Sequence, residues 1–287
     1  MRSQPERQTP TPVVQVARKL HRGSAFLATS VLLDSAAEHA RGGFYNPAMV
    51  TPILASLVAL AGNLHGHGDQ RGKRHAVRDA IFALTAATGF AGTGFHLYNI
   101  LKKPGGFRWQ NLFYSGPLGA PAAIALSGLF GLLAERVRDT PSGTSPKLCG
   151  IDAGRALSLV TAAGLLGTSG EAGLLHFRGS FQNPAMYLPV TMPPAAAALM
   201  AKAALGDARK NRWFTRLWLG LTGAMGLAGA GFHIYGVSRA MGGWRNWRQN
   251  AADGPPIPAP PSFTGLALAG LAALALLRAH PDDGATK

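Results

Sequence analysis

The stretch His39-Ala-Arg-Gly-Gly-Phe-Tyr-Asn-Pro-Ala-Met49 returns later in the chain as His176-Phe-Arg-Gly-Ser-Phe-Gln-Asn-Pro-Ala-Met186, with eight of eleven positions identical. A second block, Gly89-Phe-Ala-Gly-Thr-Gly-Phe-His-Leu-Tyr98, returns as Gly226-Leu-Ala-Gly-Ala-Gly-Phe-His-Ile-Tyr235 at the same offset of 137 residues. Because one offset relates both pairs, they belong to a single duplicated unit. A repeat of this length determines the architecture before any single helix is considered.

The composition indicates a membrane protein. Only 14% of the 287 residues are charged, whereas a typical soluble domain has about a quarter. The formal net charge is +15, but the basic residues form short clusters between apolar segments instead of the patch that a nucleic-acid-binding protein needs. The single cysteine, Cys149, excludes an internal disulfide and any cysteine-based metal site.

Eight apolar segments approach the roughly 20 residues that a helix needs to cross a bilayer. They are 24–40, 47–64, 80–101, 117–134, 156–175, 184–204, 214–237 and 260–279. The first and fifth are the least apolar, because they contain Asp34 and Glu38, and Glu171, respectively. We therefore predict an all-α integral membrane protein whose eight transmembrane helices form two tandem, parallel four-helix repeats.

Basic residues predict the orientation and the boundaries. Twenty Lys and Arg lie at the two termini and in alternate connections, and eight lie in the other connections, so the positive-inside rule places both termini in the cytoplasm of a bacterial inner membrane. The predicted parts are a cytoplasmic basic tail (1–23), repeat 1 (24–137), a cytoplasmic linker (138–154), repeat 2 (155–280) and a C-terminal tail (281–287).

Four histidines then fall in one outer layer. Helices one and three of each repeat run in the same direction, so His39 and His96 share a leaflet, as do His176 and His233. Paired histidines on membrane helices commonly hold haem b, whose two axial ligands they supply. The alternative is that each ring only bonds a neighbouring helix end or loop. The glycines before His96 and His233 leave room for a flat macrocycle, or they let helices approach closely.

Further polar residues accompany the histidines in this layer. They are Arg41, Arg178, Asp34, Glu38, Glu171, Asn46 and Asn183. The two arginines could neutralise haem propionates or a quinone head group, or extend to the membrane interface. The acids, which are costly to place in a membrane, could serve a non-haem metal together with the histidines as an alternative to haem.

The motifs Asn46-Pro47-Ala48 and Asn183-Pro184-Ala185 resemble the signature of the aquaporin family. Aquaporins place two spans before the first motif and use inverted three-helix repeats, whereas this chain places one span before it and has four per repeat. We interpret the motif as a loop whose Asn caps the helix that Pro begins. The design of two four-helix units with paired histidines is similar to that of haem A synthases, although no motif of that family is present.

These patterns lead to one functional hypothesis and two alternatives. The hypothesis is a membrane redox subunit that binds haem b and passes electrons between a quinone and a periplasmic oxidoreductase partner. The alternatives are a transporter or channel for a small polar or anionic solute, and a structural membrane anchor of a periplasmic enzyme. No nucleotide motif and no nucleophile with a plausible base were found in the sequence, so any catalysis would depend on a cofactor or a partner.

Overall fold

The computed structural model describes residues 10–141, 143–207 and 210–279. The predicted C-terminal tail at 281–287, and residues 1–9 of the predicted N-terminal tail, lie outside the described residues. The chain is mostly helical, at 78%, which confirms the all-α prediction.

Ten α-helices and one short hairpin make up the described parts of the chain. The helices are α1 (Pro12–Arg41), α2 (Thr51–Gly68), α3 (Ala76–Leu101), α4 (Trp109–Phe113), α5 (Gly119–Arg138), α6 (Ala153–Arg178), α7 (Leu188–Leu205), α8 (Trp213–Arg239), α9 (Trp247–Asp253) and α10 (Pro261–Ala279). Single 3-10 turns, Pro47–Val50, Pro184–Tyr187 and Gly243–Asn246, precede α2, α7 and α9. The hairpin, β1 (Lys147–Leu148) and β2 (Ile151–Asp152), was not predicted from the sequence.

Each of the eight predicted apolar segments coincides with one of the long helices. Of the helices in the described residues, six are both long and apolar enough to cross a membrane, which supports a multi-pass membrane protein. They are Pro47–Gly68, Ala76–Leu101, Gly119–Arg138, Pro184–Leu205, Trp213–Arg239 and Pro261–Ala279. The helices α1 and α6 are not among these six, and they are the two whose acidic residues made them the least apolar in the sequence.

Helix α1 begins within the segment that was predicted to be a tail. Thr11 caps it by accepting a hydrogen bond from the Val14 amide, and Pro12 occupies the first turn, where proline is favoured. Val14 and Leu20 are buried, so the first turns of α1 pack against the bundle. The charged residues between them concealed this apolar face in the sequence.

The long helices pack as two groups of four. In the first group, α1 and α3 lie across from each other and both contact α2 and α5; in the second, α6 and α8 lie across from each other and both contact α7 and α10. The groups meet mainly where α1 crosses α10. Gly23 and Gly265 allow this crossing, because a Cβ on either glycine would lie 2.8 Å from the carbonyl oxygen of the other.

Candidate functional site

The rings of His39 and His176 are oriented by equivalent backbone carbonyls. His39 Nδ1 lies 2.6 Å from the carbonyl oxygen of Met49, and His176 Nδ1 lies 2.8 Å from that of Met186. A carbonyl oxygen can only accept a hydrogen bond, so Nδ1 bears the proton. In the neutral ring, Nε2 then has a free lone pair.

His233 is held in the same way. Its Nδ1 lies 2.7 Å from the carbonyl oxygen of Pro256. The ring of His96 lies beside the backbone of Pro117, the residue equivalent to Pro256. Within the described residues, Nε2 of His39, His176 and His233 makes no hydrogen bond, so these rings have a nitrogen available for a ligand.

The two histidines of each repeat lie on helices that face each other across their group. His39 is on α1 and His96 on α3, and His176 is on α6 and His233 on α8. All four side chains are half-buried. In the part of the chain that the structure describes, no cluster of three or more His, Cys, Asp or Glu is arranged to hold a metal ion. What the chain brings together is therefore pairs of imidazoles.

An uncommon backbone conformation recurs beside His39 and His176. Phe44 and Phe181 both have φ of 46°, and the residues before them, Gly43 and Ser180, have φ of 70° and 57°. Each phenylalanine ring stands edge-on to the histidine, at 6.3 Å for His39 and 6.1 Å for His176. Non-glycine residues adopt this conformation only where their surroundings impose it, and such strain is concentrated at functional sites.

The Asn-Pro-Ala motifs act as the helix starts that the sequence predicted. The Asn46 side chain accepts a hydrogen bond from the Ala48 amide, and Asn183 accepts one from the Ala185 amide, both at 2.9 Å. This confirms the capping interpretation. The capped turns contain Met49 and Met186, whose carbonyls hold the histidine rings.

The glycines near His96 and His233 mostly serve close helix packing. A Cβ on Gly89 would overlap the backbone of Ala125 on α5, and one on Gly226 would lie 2.6 Å from Thr264 Oγ1 on α10. The suggestion that these glycines make room for a macrocycle is therefore wrong for this pair. Gly94 and Gly231 differ, because no atom lies within 4 Å of an added Cβ at either position.

The acids Asp34 and Glu171 lie where the two groups of helices meet. Glu171 Oε2 accepts a hydrogen bond of 3.3 Å from the Gly119 amide at the start of α5, and its other oxygen is buried without a partner among the described residues. The residue equivalent to Gly119 in the second group is Pro258, which has no N–H for Asp34 to bond. The two carboxyl groups are close enough to interact with each other.

Neither arginine of the layer contacts a histidine ring in the described structure. Arg41 pairs with Glu38 on the same helix. Arg178 donates to the carbonyl oxygens of Leu112 and Ser115, at 3.3 and 3.2 Å, and lies over the Phe113 ring. These contacts of Arg178 hold α4 against the end of α6.

A buried ionic cluster that was not predicted from the sequence lies in the first group of helices, at the helix ends remote from the histidine pairs. His21 lies between Asn63 Oδ1, at 3.0 Å, and Glu135 Oε1, at 2.9 Å. Arg78 donates to both oxygens of Glu135, at 3.0 Å each. Arg138 donates to three backbone carbonyls, and all five side chains are buried.

The five residues of this ionic cluster are not repeated at the equivalent positions of the second group of helices. In the fourth helices of the two groups, α5 and α10, equivalent residues are 139 positions apart instead of 137. The contacts show this, because Gly131 lies against Phe82 and Gly270 lies against the equivalent Leu219. The residues equivalent to His21, Asn63, Arg78, Glu135 and Arg138 are then Ser158, Met200, Thr215, Leu274 and Leu277. A comparison of the two halves could have revealed the cluster, because polar residues of the first half align with mostly apolar residues of the second.

Asp69, which follows α2, extends the ionic cluster to the surface. Its carboxylate accepts hydrogen bonds of 2.9 Å from Arg71 and from Arg78. Partial burial opposes ionisation, but these hydrogen bonds and the nearby Arg138 hold the pKa of Asp69 well below its ordinary value. Asp69 is therefore ionised throughout the neutral range.

No protein-family model, curated protein or solved structure significantly matches this chain.

Proposed function

We propose that this chain is a membrane-embedded redox subunit in which each histidine pair binds one haem b. The haems would connect a quinone with a periplasmic oxidoreductase partner. The chain would cross a bacterial inner membrane eight times, as two parallel four-helix repeats with both termini in the cytoplasm. Haem, when bound, supplies one-electron transfer, and the helices supply its ligands and its surroundings.

The observation that supports the proposal best is how the imidazoles are held. Histidines that ligate a metal typically donate their other ring N–H to a carbonyl or carboxylate, which fixes the tautomer and the ring orientation. Nδ1 of His39, His176 and His233 is held in this way by a backbone carbonyl. Two such histidines on opposite helices of one bundle could therefore hold one haem b.

The chain's own groups would orient the ligands and shield them from water. The carbonyl oxygens of Met49 and Met186 accept a hydrogen bond from Nδ1 and so keep the proton on that nitrogen. The lone pair of Nε2 then remains available to a ligand. Phe44 and Phe181 restrict each ring from the side by edge-on contact. A non-haem metal would use the same four histidines, with the remaining ligands supplied from outside the pairs.

The proposed eight-span topology has a direct test. Reporter fusions after Arg71, Lys147 and Lys210 should behave as cytoplasmic, and fusions after Lys103 and Arg239 as periplasmic. The physical reason is the excess of basic residues in the first set of connections, which resist translocation. A periplasmic signal at Lys147 would contradict two parallel four-helix repeats, because that residue connects them.

Electron transfer with a quinone is tested by adding a short-chain quinol to the oxidised, purified protein. We expect the haem absorbance to change to that of the reduced form, with dithionite defining complete reduction. The oxidised quinone serves as the control and should produce no change. If dithionite reduces the haem and quinol does not, the redox centre would remain but the quinone link would be wrong.

A transporter remains the second candidate function, and one observation favours it. Asp34 and Glu171 lie between the two groups of helices, and one oxygen of Glu171 is buried without a partner in the described residues. Acids in such positions often mark the path of a proton or cation. Asp34→Asn and Glu171→Gln should leave haem binding intact if the acids serve transport alone. The structural-anchor hypothesis predicts no effect of these substitutions beyond stability.

A further inference from the structure

A cleft opens beside the ionic cluster, between the start of α1 and the connection from α2 to α3. Its volume is about 700 Å³. Thr11 and Val14 line one side, and Asp69 with the segment 70–75 lines the other. The cleft lies at the ends of apolar helices, which is the level of lipid headgroups if α2 and α3 cross a bilayer.

The charge of this cleft is positive. Arg71, Lys73 and Arg74 line it, and the side chains of Arg71 and Arg74 are 70% and 46% exposed. The single acid that lines it, Asp69, is already paired with Arg71 and with the buried Arg78. Lys73 makes no ion pair with any residue that the structure describes. An anionic group in the cleft would therefore meet Lys73, which has no acidic partner there, together with Arg71 and Arg74, which are exposed but already pair with acids.

The ionic cluster fixes the loop that presents these cations. Arg138 donates to the carbonyl oxygens of Asp69 and Arg71, both at 2.9 Å. The amide of His75 donates to Glu135 Oε2 at 2.7 Å, and His75 Nδ1 is buried without a hydrogen-bond partner among the described residues. Because these hydrogen bonds fix the backbone of the loop at several points, the backbone needs little ordering when a ligand binds.

An apolar surface continues from the cleft along α3. Val77 and Leu84 lie on the same side of this helix, two turns apart, and are 60% and 69% exposed. They follow directly after His75, which lines the cleft. A ligand with a phosphate in the cleft could therefore place a hydrocarbon chain against α3, whereas a free phosphate compound would use only the basic part.

We propose that this cleft binds the phosphate headgroup of an anionic phospholipid. Basic residues next to membrane-helix ends attract anionic headgroups, and Arg and Lys are the side chains suited to phosphate. The site would also account for the five residues of the ionic cluster, which are not repeated in the other half and which fix the backbone of this loop. The proposal is independent of haem, because it concerns lipid binding at the other end of the bundle.

The test uses the full-length protein, purified in detergent, delipidated and examined by native mass spectrometry. The probe is phosphatidylglycerol added in micelles, with phosphatidylcholine as the neutral lipid and inorganic phosphate as the soluble anion. The cleft variant is R71Q/K73Q/R74Q. The control variant, R136Q/K147Q/K210Q, removes three exposed basic residues at the same ends of the helices but away from the cleft.

We expect the wild-type protein and the control variant to retain phosphatidylglycerol, and the cleft variant to bind it at least about tenfold more weakly. The single variant K73Q should show a smaller loss; because Lys73 has no partner in the described residues, its removal should not disturb folding. Equal losses in the two triple variants would overturn the proposal, since net charge alone would then explain binding. Protection of the wild type against thermal unfolding by inorganic phosphate as strong as that by the lipid would also overturn it, in favour of a soluble phosphate ligand.

Discussion

His39→Ala should remove haem from the first repeat and leave the second repeat occupied. The reason is that one axial ligand of the proposed pair is lost, while His176 and His233 belong to a separate group of helices. Haem content per chain, measured as the pyridine haemochromogen, should fall to about half. His96→Ala should give the same result, and the double variant of His39 and His176 should bind no haem.

His67→Ala is the matched control for these substitutions. The His67 ring also bonds a backbone carbonyl, that of Arg18 at 3.0 Å, but it lies at the other end of the bundle and outside the two pairs. The His67→Ala substitution should leave haem content unchanged. Unchanged haem in His39→Ala would contradict the proposed ligands. Complete loss of haem in any single variant of the four would instead indicate one site shared by both repeats.

Glu135→Leu should cause the largest loss of stability among single substitutions in the ionic cluster. It would leave the buried Arg138 without its ion-pair partner and would leave Arg78 paired with Asp69 alone. Removal of one partner from a buried ion pair lowers the free energy of unfolding by about 3–5 kcal/mol. The measurement is denaturant-induced unfolding in detergent, followed by circular dichroism.

The second half of the molecule supplies a compensated variant for comparison. Replacing the five buried residues by the equivalent residues of that half removes Glu135 together with its partners, which is often neutral for stability, while Asp69 keeps its pair with Arg71. This variant is H21S/N63M/R78T/E135L/R138L. It should recover much of the stability that Glu135→Leu loses. If the free energy of unfolding of Glu135→Leu equals that of the wild type, the ionic cluster does not stabilise the protein. The inference that the cluster fixes the loop between α2 and α3 would then be wrong.

The sequence predicted the helices well because their signal is local. Apolar segments of sufficient length, with Pro47 and Pro184 at their starts, are enough to place the long helices, and the capping by Asn46 and Asn183 follows from the same local chemistry. The start of α1 was missed because Arg18, Lys19 and Arg22 alternate in the sequence with its buried residues, although Lys19 and Arg22 lie on the exposed side of the helix. Their charges concealed a helical pattern that tertiary packing uses.

Contacts between helices could not be predicted in the same way. The duplication predicted that His39 and His96 share a leaflet, but it did not reveal that the Met49 carbonyl holds the His39 ring. From the sequence alone, Gly89 could either leave room for a ligand or allow close helix packing. Only the position of α5 distinguishes these two roles. The ionic cluster was missed for a further reason: its residues are not repeated in the second half, and the site residues were predicted from positions that are.

The most direct test of the central proposal is the optical spectrum of the purified protein in detergent, first oxidised and then reduced with dithionite. Haem b held by the two histidine pairs predicts a Soret band in both states, an α-band that appears on reduction, and two haems per chain. Elemental analysis of the same sample would identify a non-haem metal. Absence of both haem bands and bound metal, in protein produced with haem available, would contradict the redox proposal and favour the transporter or anchor functions.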